Sequence, residues 1–127
     1  MEAQINGLQR KIISSSVRPL TIGHGDSGIP LRNGRTLPFV VARSWSAPAG
    51  HYDEAWYLVE PTTREVLFEG SNREVRVWGL QSWTEFSDTV TEAIPLKAGA
   101  YLIIFALGGS QGGQMTVAAA DVKQSAA

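Results

Sequence analysis

The sequence predicts an all-β fold: an antiparallel β-sandwich of jelly-roll or Ig-like type, preceded by an N-terminal arm. Three observations lead there. Seven short runs are rich in Val, Ile, Thr, Phe, Tyr and Trp, the residues that suit a pleated, half-buried surface. Turn-forming residues separate those runs at regular spacing, the pattern of sandwiches and small barrels. Several runs also alternate with period two, so that one face is apolar and the other wet. A chain of 127 residues holds one such core and is too short for two.

Residues 1–36 read as an N-terminal arm and a Gly/Pro-rich loop. In the arm, Ile5, Leu8 and Ile12 have helical spacing, while Ile13 through Val17 suit a strand; both readings stay open. From Pro19 to Pro38, recurring Gly and Pro predict loop.

Residues 37–119 read as the sandwich. Its strands are predicted at Phe39 to Trp45, Ala55 to Glu60, Glu65 to Glu69, Glu74 to Trp78, Thr84 to Thr91, Tyr101 to Leu107 and Gln114 to Ala119. Glu60-Pro61-Thr62-Thr63-Arg64 places Pro where a type I turn wants it. Gly70-Ser71-Asn72 and Lys97-Ala98-Gly99 predict further breaks, and Gly108 to Gly113 a flexible hairpin tip. Tyr101 to Leu107 is apolar on both faces, which predicts a central strand or one covered by another subunit. Residues 120–127 read as a small-residue tail.

Composition narrows the function classes. With no cysteine, disulfides and thiolate metal sites are excluded. The formal net charge is −1, whereas a nucleic-acid partner calls for a basic face, and weak charge tolerates close assembly. The longest apolar run, Ala100 to Leu107, is far short of a helical membrane span. Nothing near Met1 resembles the apolar core of a secretion signal, so a cytoplasmic or intracellularly assembled protein is expected.

Four features carry possible chemistry. Gly25-Asp26-Ser27-Gly28 looks like a serine-protease nucleophile segment, but that mechanism needs a His base and its Asp upstream of the Ser. His24 is too close, and His51 follows. The overlapping Gly23-His24-Gly25-Asp26-Ser27-Gly28 matches G-x-G-x-x-G, yet Pro30 and Gly34 oppose the helix a dinucleotide site requires. His51-Tyr52-Asp53-Glu54 offers metal ligands or a small hydrolase built on His51 with Asp53 or Glu54; against it stands a solvated loop before a strand, and zinc would need further nitrogen or sulfur ligands. Asp88 is the odd carboxylate: alternation turns it inward with Phe86 and Val90, which predicts a partner such as an Arg. No catalytic, cofactor or metal residue is assigned, and a non-enzymatic protein without cofactor is expected.

The aromatics are the stronger lead. Trp45 and Trp56 read as core. Trp78 falls on the side of Glu74 and Arg76, away from Val75 and Val77, and an exposed Trp is an interface anchor or a sugar platform. The interface or ligand candidates are Trp78, Trp83, Tyr101, Ile103, Phe105 and Tyr52.

Three stretches, Arg35 to Trp45, Val77 to Trp83 and Ile94 to Phe105, together resemble small β-sandwich virion proteins of tailed phages of actinobacteria, of the minor tail or capsid decoration type. The resemblance covers about a third of the chain and implies a non-enzymatic particle component that binds copies of itself and neighbouring structural proteins. Its alternative is a carbohydrate- or ligand-binding module using the exposed Trp residues, with a glycan as partner.

Overall fold

The computed structural model describes residues 10–21 and 27–122. These residues form nine strands and no helix: β1 (Lys11–Pro19), β2 (Ile29–Arg32), β3 (Arg35–Thr36), β4 (Phe39–Ser46), β5 (Gly50–Val59), β6 (Val66–Val77), β7 (Thr84–Val90), β8 (Gly99–Leu107) and β9 (Ser110–Asp121). They make two sheets, one of order β1-β4-β7 and one of order β3-β2-β9-β8-β5-β6. All pairings are antiparallel except β2 with β9, which run parallel with Ile29 beside Ala119. The expectation of a wholly antiparallel sandwich is corrected at that point.

Period two builds the core between the sheets. Phe39, Val41 and Trp45 of β4 meet Trp56 and Leu58 of β5 and Ile103, Phe105 and Leu107 of β8; these side chains are buried. Each large apolar side chain so enclosed contributes about 1.5–3 kcal/mol.

The stretch expected as arm and loop supplies three strands. Lys11–Pro19 is strand, and Val17, Ile29 and Leu31 enter the core. Ile5 and Leu8, with their helical spacing, lie outside the described residues, as do His24 and Asp26 and tail residues 123–127. Arg32 and Arg35 pair across Asn33-Gly34, whose φ angles of 54° and 73° make the two-residue type I′ hairpin that Asn-Gly favours. Gly108-Gly109 does the same between Leu107 and Ser110. The tip expected over 108–113 is therefore only those two residues, and Gly112 and Gly113 lie within β9.

The break expected at Gly70-Ser71-Asn72 is also absent. The runs at 65–69 and 74–78 belong to one twelve-residue strand, β6, with an irregularity opposite Ala55–Tyr57. β8 is central, between β9 and β5. On its outer face Leu102 and Ile104 stand directly beside Val59 and Tyr57, and such cross-strand neighbours shield one another.

Candidate functional site

The β6–β7 connection, residues 78–83, lies at one end of the strands. Alternation along β6 turns Val75 and Val77 into the core and leaves Arg76 and Trp78 outside. The Trp78 amide donates to Thr84 Oγ1 at 3.1 Å, and Ser46 Oγ donates to the Leu80 carbonyl at 3.4 Å, so the loop is tethered to β7 and to the end of β4. It still exposes Trp78 by 60%, Leu80 by 43% and Trp83 by 62%. The Arg76 guanidinium lies 4.3 Å from the Trp78 ring centroid, a cation–π contact that steadies the indole. The β4–β5 and β8–β9 turns share this end, since Gly50 pairs with Val77 and the Gly108 amide donates to the Asp53 carbonyl.

Of the other interface candidates, three fall elsewhere. Tyr101, Ile103 and Phe105 are buried in the core, because the odd-numbered residues of β8 face inward; an apolar strand without a polar member gave no sign of which parity that is. Tyr52 is half-buried, donating its hydroxyl to the Pro48 carbonyl at 2.7 Å beneath the Arg10 guanidinium.

Between the sheets lies an ionic cluster, only one member of which, Asp88, was anticipated. Arg43 of β4 and Glu54 of β5 are fully buried and form a bidentate pair, with Arg43 Nε donating to Glu54 Oε2 at 2.7 Å. Trp45 Nε1 donates to the same oxygen at 2.7 Å. Asp88 of β7 stands 3.1 Å from Arg43 Nη1 and 3.1 Å from Arg73 Nη2. It also accepts hydrogen bonds from Ser71 Oγ (2.6 Å) and Trp56 Nε1 (2.8 Å). Burial pushes the Asp88 carboxyl upward, but the hydrogen bonds from Ser71 and Trp56 and the charges of Arg43 and Arg73 outweigh it and hold the group below the ordinary aspartate range. Burial likewise opposes the Arg43 charge, and Glu54 and Asp88 more than restore it.

The stretch at His51 is strand rather than the solvated loop expected. Alternation divides it: His51 and Asp53 are exposed on the outer face, while Glu54 is buried on the inner one. The combination of His51 with Glu54 is thereby separated. His51 instead approaches Glu74, 4.0 Å away. Ser27 is exposed. Among the described residues no three His, Asp or Glu side chains gather as a metal site would require.

A cleft of about 780 Å3 lies at the opposite end. Leu31, Leu67, Leu96 and Tyr101 contribute its apolar lining, and the Tyr101 hydroxyl donates to the Lys97 carbonyl at 2.7 Å. Among the described residues that line it, Glu60, Glu65 and Asp121 stand with one cation, Lys97. The Thr63 and Thr62 amides and the Thr63 hydroxyl hydrogen-bond Glu60 and hold its carboxyl below the usual range.

No protein-family model matches this chain, and no curated protein matches it in sequence. Solved structures do share its fold. An alkylpurine DNA glycosylase of Pseudomonas fluorescens, AlkC, bound to DNA containing an abasic site analogue, superposes with a TM-score of 0.54 at 12% identity over 87% of this chain and 30% of that one. A variant β-glucosidase from Listeria innocua in complex with laminaribiose gives 0.50 at 10% identity over 84% of this chain and 16% of that one. The chain thus spans less than a third of either protein. At such identities the likeness concerns the fold alone.

Proposed function

We propose that this chain is a non-enzymatic assembly module that docks onto copies of itself and neighbouring structural proteins through the 78–83 loop. The observation that carries the reading is the joint exposure of Trp78, Leu80 and Trp83 on one short, tethered segment. Trp and Arg are the residues that dominate interface energetics, and contiguous apolar patches of a few hundred Å2 mark docking sites. Two Trp side chains more than half exposed and a Leu beside them leave on the order of a few hundred Å2 bare, against about 800 Å2 per partner in a standard interface. The virion resemblance makes a phage tail or capsid the proposed setting.

We further propose that the sandwich is of Ig-like rather than jelly-roll type. Trp56 is buried on β5, an internal strand of the larger sheet, and the Tyr101 hydroxyl reaches back to the Lys97 backbone just before β8, as in a tyrosine corner. In such folds the loops of one end serve recognition, and residues 78–83 lie at an end shared with two strand turns.

The test is a Trp78→Ala/Trp83→Ala double variant compared with the parent by light scattering on a sizing column, alone and with candidate particle proteins. Loss of association at unchanged circular dichroism is the expected result; association at the parental level would overturn the reading.

A second reading rests on the Arg76 contact. With one face of the Trp78 indole held by Arg76 and the side chain 60% exposed, a ring face is left for a sugar. Titration with oligosaccharides, read by Trp fluorescence, tests it: a change that Trp78→Ala abolishes supports glycan binding, and a flat titration rejects it.

A further inference from the structure

The loop and the cleft occupy opposite ends of one strand. β6 begins beside the cleft, where Leu67 lines it, and ends at Val77, immediately before the loop. Its twelve residues span about 40 Å at roughly 3.3 Å per residue. From this we propose that copies of the chain associate head to tail, the Trp78–Leu80–Trp83 loop of one seated in the cleft of the next. The proposal rests on the reading of that loop as the docking element, and commits it to a second copy.

Three observations favour this seat. The first is shape and polarity: the loop exposes apolar side chains, and the cleft is a concavity of about 780 Å3 whose floor is formed by the largely buried Leu31, Leu96 and Tyr101 with half-buried Leu67 beside them, within the size range of ligand-enclosing pockets. The second is charge. Arg76, at the end of β6, lays its guanidinium against Trp78 at the base of the loop, while Glu60, Glu65 and Asp121 outnumber Lys97 among the described residues that line the cleft. A positive group therefore arrives at a negative rim, the complementarity that steers docking and fixes register. The third is symmetry. Loop-to-loop pairing of two copies would bring the two Arg76 side chains toward each other and leave both clefts unused. A heterologous contact uses both surfaces, and repeated from copy to copy it closes a ring or extends a filament. A formal net charge of −1 sets little repulsion against such repetition.

The geometry makes a distinctive demand on mixtures. Trp78→Ala disables the loop and leaves the cleft. Ala98→Arg, at an exposed cleft residue, fills the cleft and sets a cation against the incoming Arg76 while leaving the loop. Sedimentation velocity of the parent is expected to show an average mass that rises with concentration beyond two copies. Each variant alone is expected to lose association at least tenfold, and their equimolar mixture to form a two-copy species that grows no further. Trp83→Ala serves as a second loop variant, and circular dichroism verifies that each is folded. If Ala98→Arg associates like the parent while Trp78→Ala does not, the loop is a contact but the cleft is not its seat, and the head-to-tail proposal is overturned. If neither variant changes the parental association, the docking role of the loop falls as well. A parent that stays monomeric at millimolar concentration overturns self-docking and directs the loop to a foreign partner.

Discussion

Arg43, Glu54 and Asp88 put three charges between two sheets that are otherwise held together by apolar packing. Removing one partner of a buried pair strands the other, which costs about 3–5 kcal/mol, whereas replacing a whole pair with apolar groups of similar volume is often neutral. Glu54→Gln is therefore expected to lower unfolding stability by about that amount in urea titrations, with Arg43→Met similar. The double variant Arg43→Met/Glu54→Leu should recover a substantial part of the loss, and a purely additive double variant would show that Arg43 and Glu54 are not coupled to each other. Asp88 adds a pH dependence. Its carboxyl is held below its ordinary value in the folded chain, so its contribution is complete above the unfolded value of about 3.9 and is lost as pH falls through the lower folded one. Stability should thus decline below about pH 4, and Asp88→Asn should flatten that decline in acid-titrated unfolding curves. Asp88 was legible because Phe86 and Val90 flank it at period two. Glu54 and Arg43 obey the same rule, with Trp56 and Leu58 on one side and Val41 and Trp45 on the other. There the charged character of the residues masks their parity, although the indole donor of Trp45 and the opposing charges make burial affordable.

β6 shows what a turn signal leaves out. Gly70-Ser71-Asn72 has turn composition, yet the chain stays extended because its neighbours need it there: Ser71 and Arg73 both reach Asp88 on the facing sheet. Gly70 is the residue that permits the approach, since a Cβ at that position would stand 2.0 Å from the Trp56 ring. Gly70→Ala is therefore expected to shift Trp56 and cost about 1–3 kcal/mol through overpacking. The check is a change in near-ultraviolet circular dichroism with a lowered melting temperature; an unaltered spectrum and midpoint would contradict the packing described. Tertiary contacts of this kind are invisible to local composition. The Asn33-Gly34 hairpin is the opposite case, a local signal that was present and was absorbed into a long Gly/Pro-rich loop. The strands from Phe39 onward were legible because alternation and turns agreed, and the sheet order was not, because β2 joins β9 across almost the whole chain.

At the scale of the whole molecule, folding and docking are assigned to different residues, and that separation can be measured. The core is closed by Trp45 and Trp56, both fully buried, with their indole N–H groups bound to Glu54 and Asp88. Trp78 and Trp83 are each more than half exposed, on a segment whose hydrogen bonds to β7 and β4 run through its own backbone groups. Surface substitutions away from structural features usually stay within about 0.5 kcal/mol. The Trp78→Ala/Trp83→Ala variant should then unfold at the parental urea midpoint, while Trp56→Ala should lose about 3–5 kcal/mol through the cavity it leaves. Were the double variant instead to unfold as readily as Trp56→Ala, the loop would be a structural lid over the end of the sandwich, its exposed aromatics would owe their place to folding, and a docking role would have no observation left to carry it.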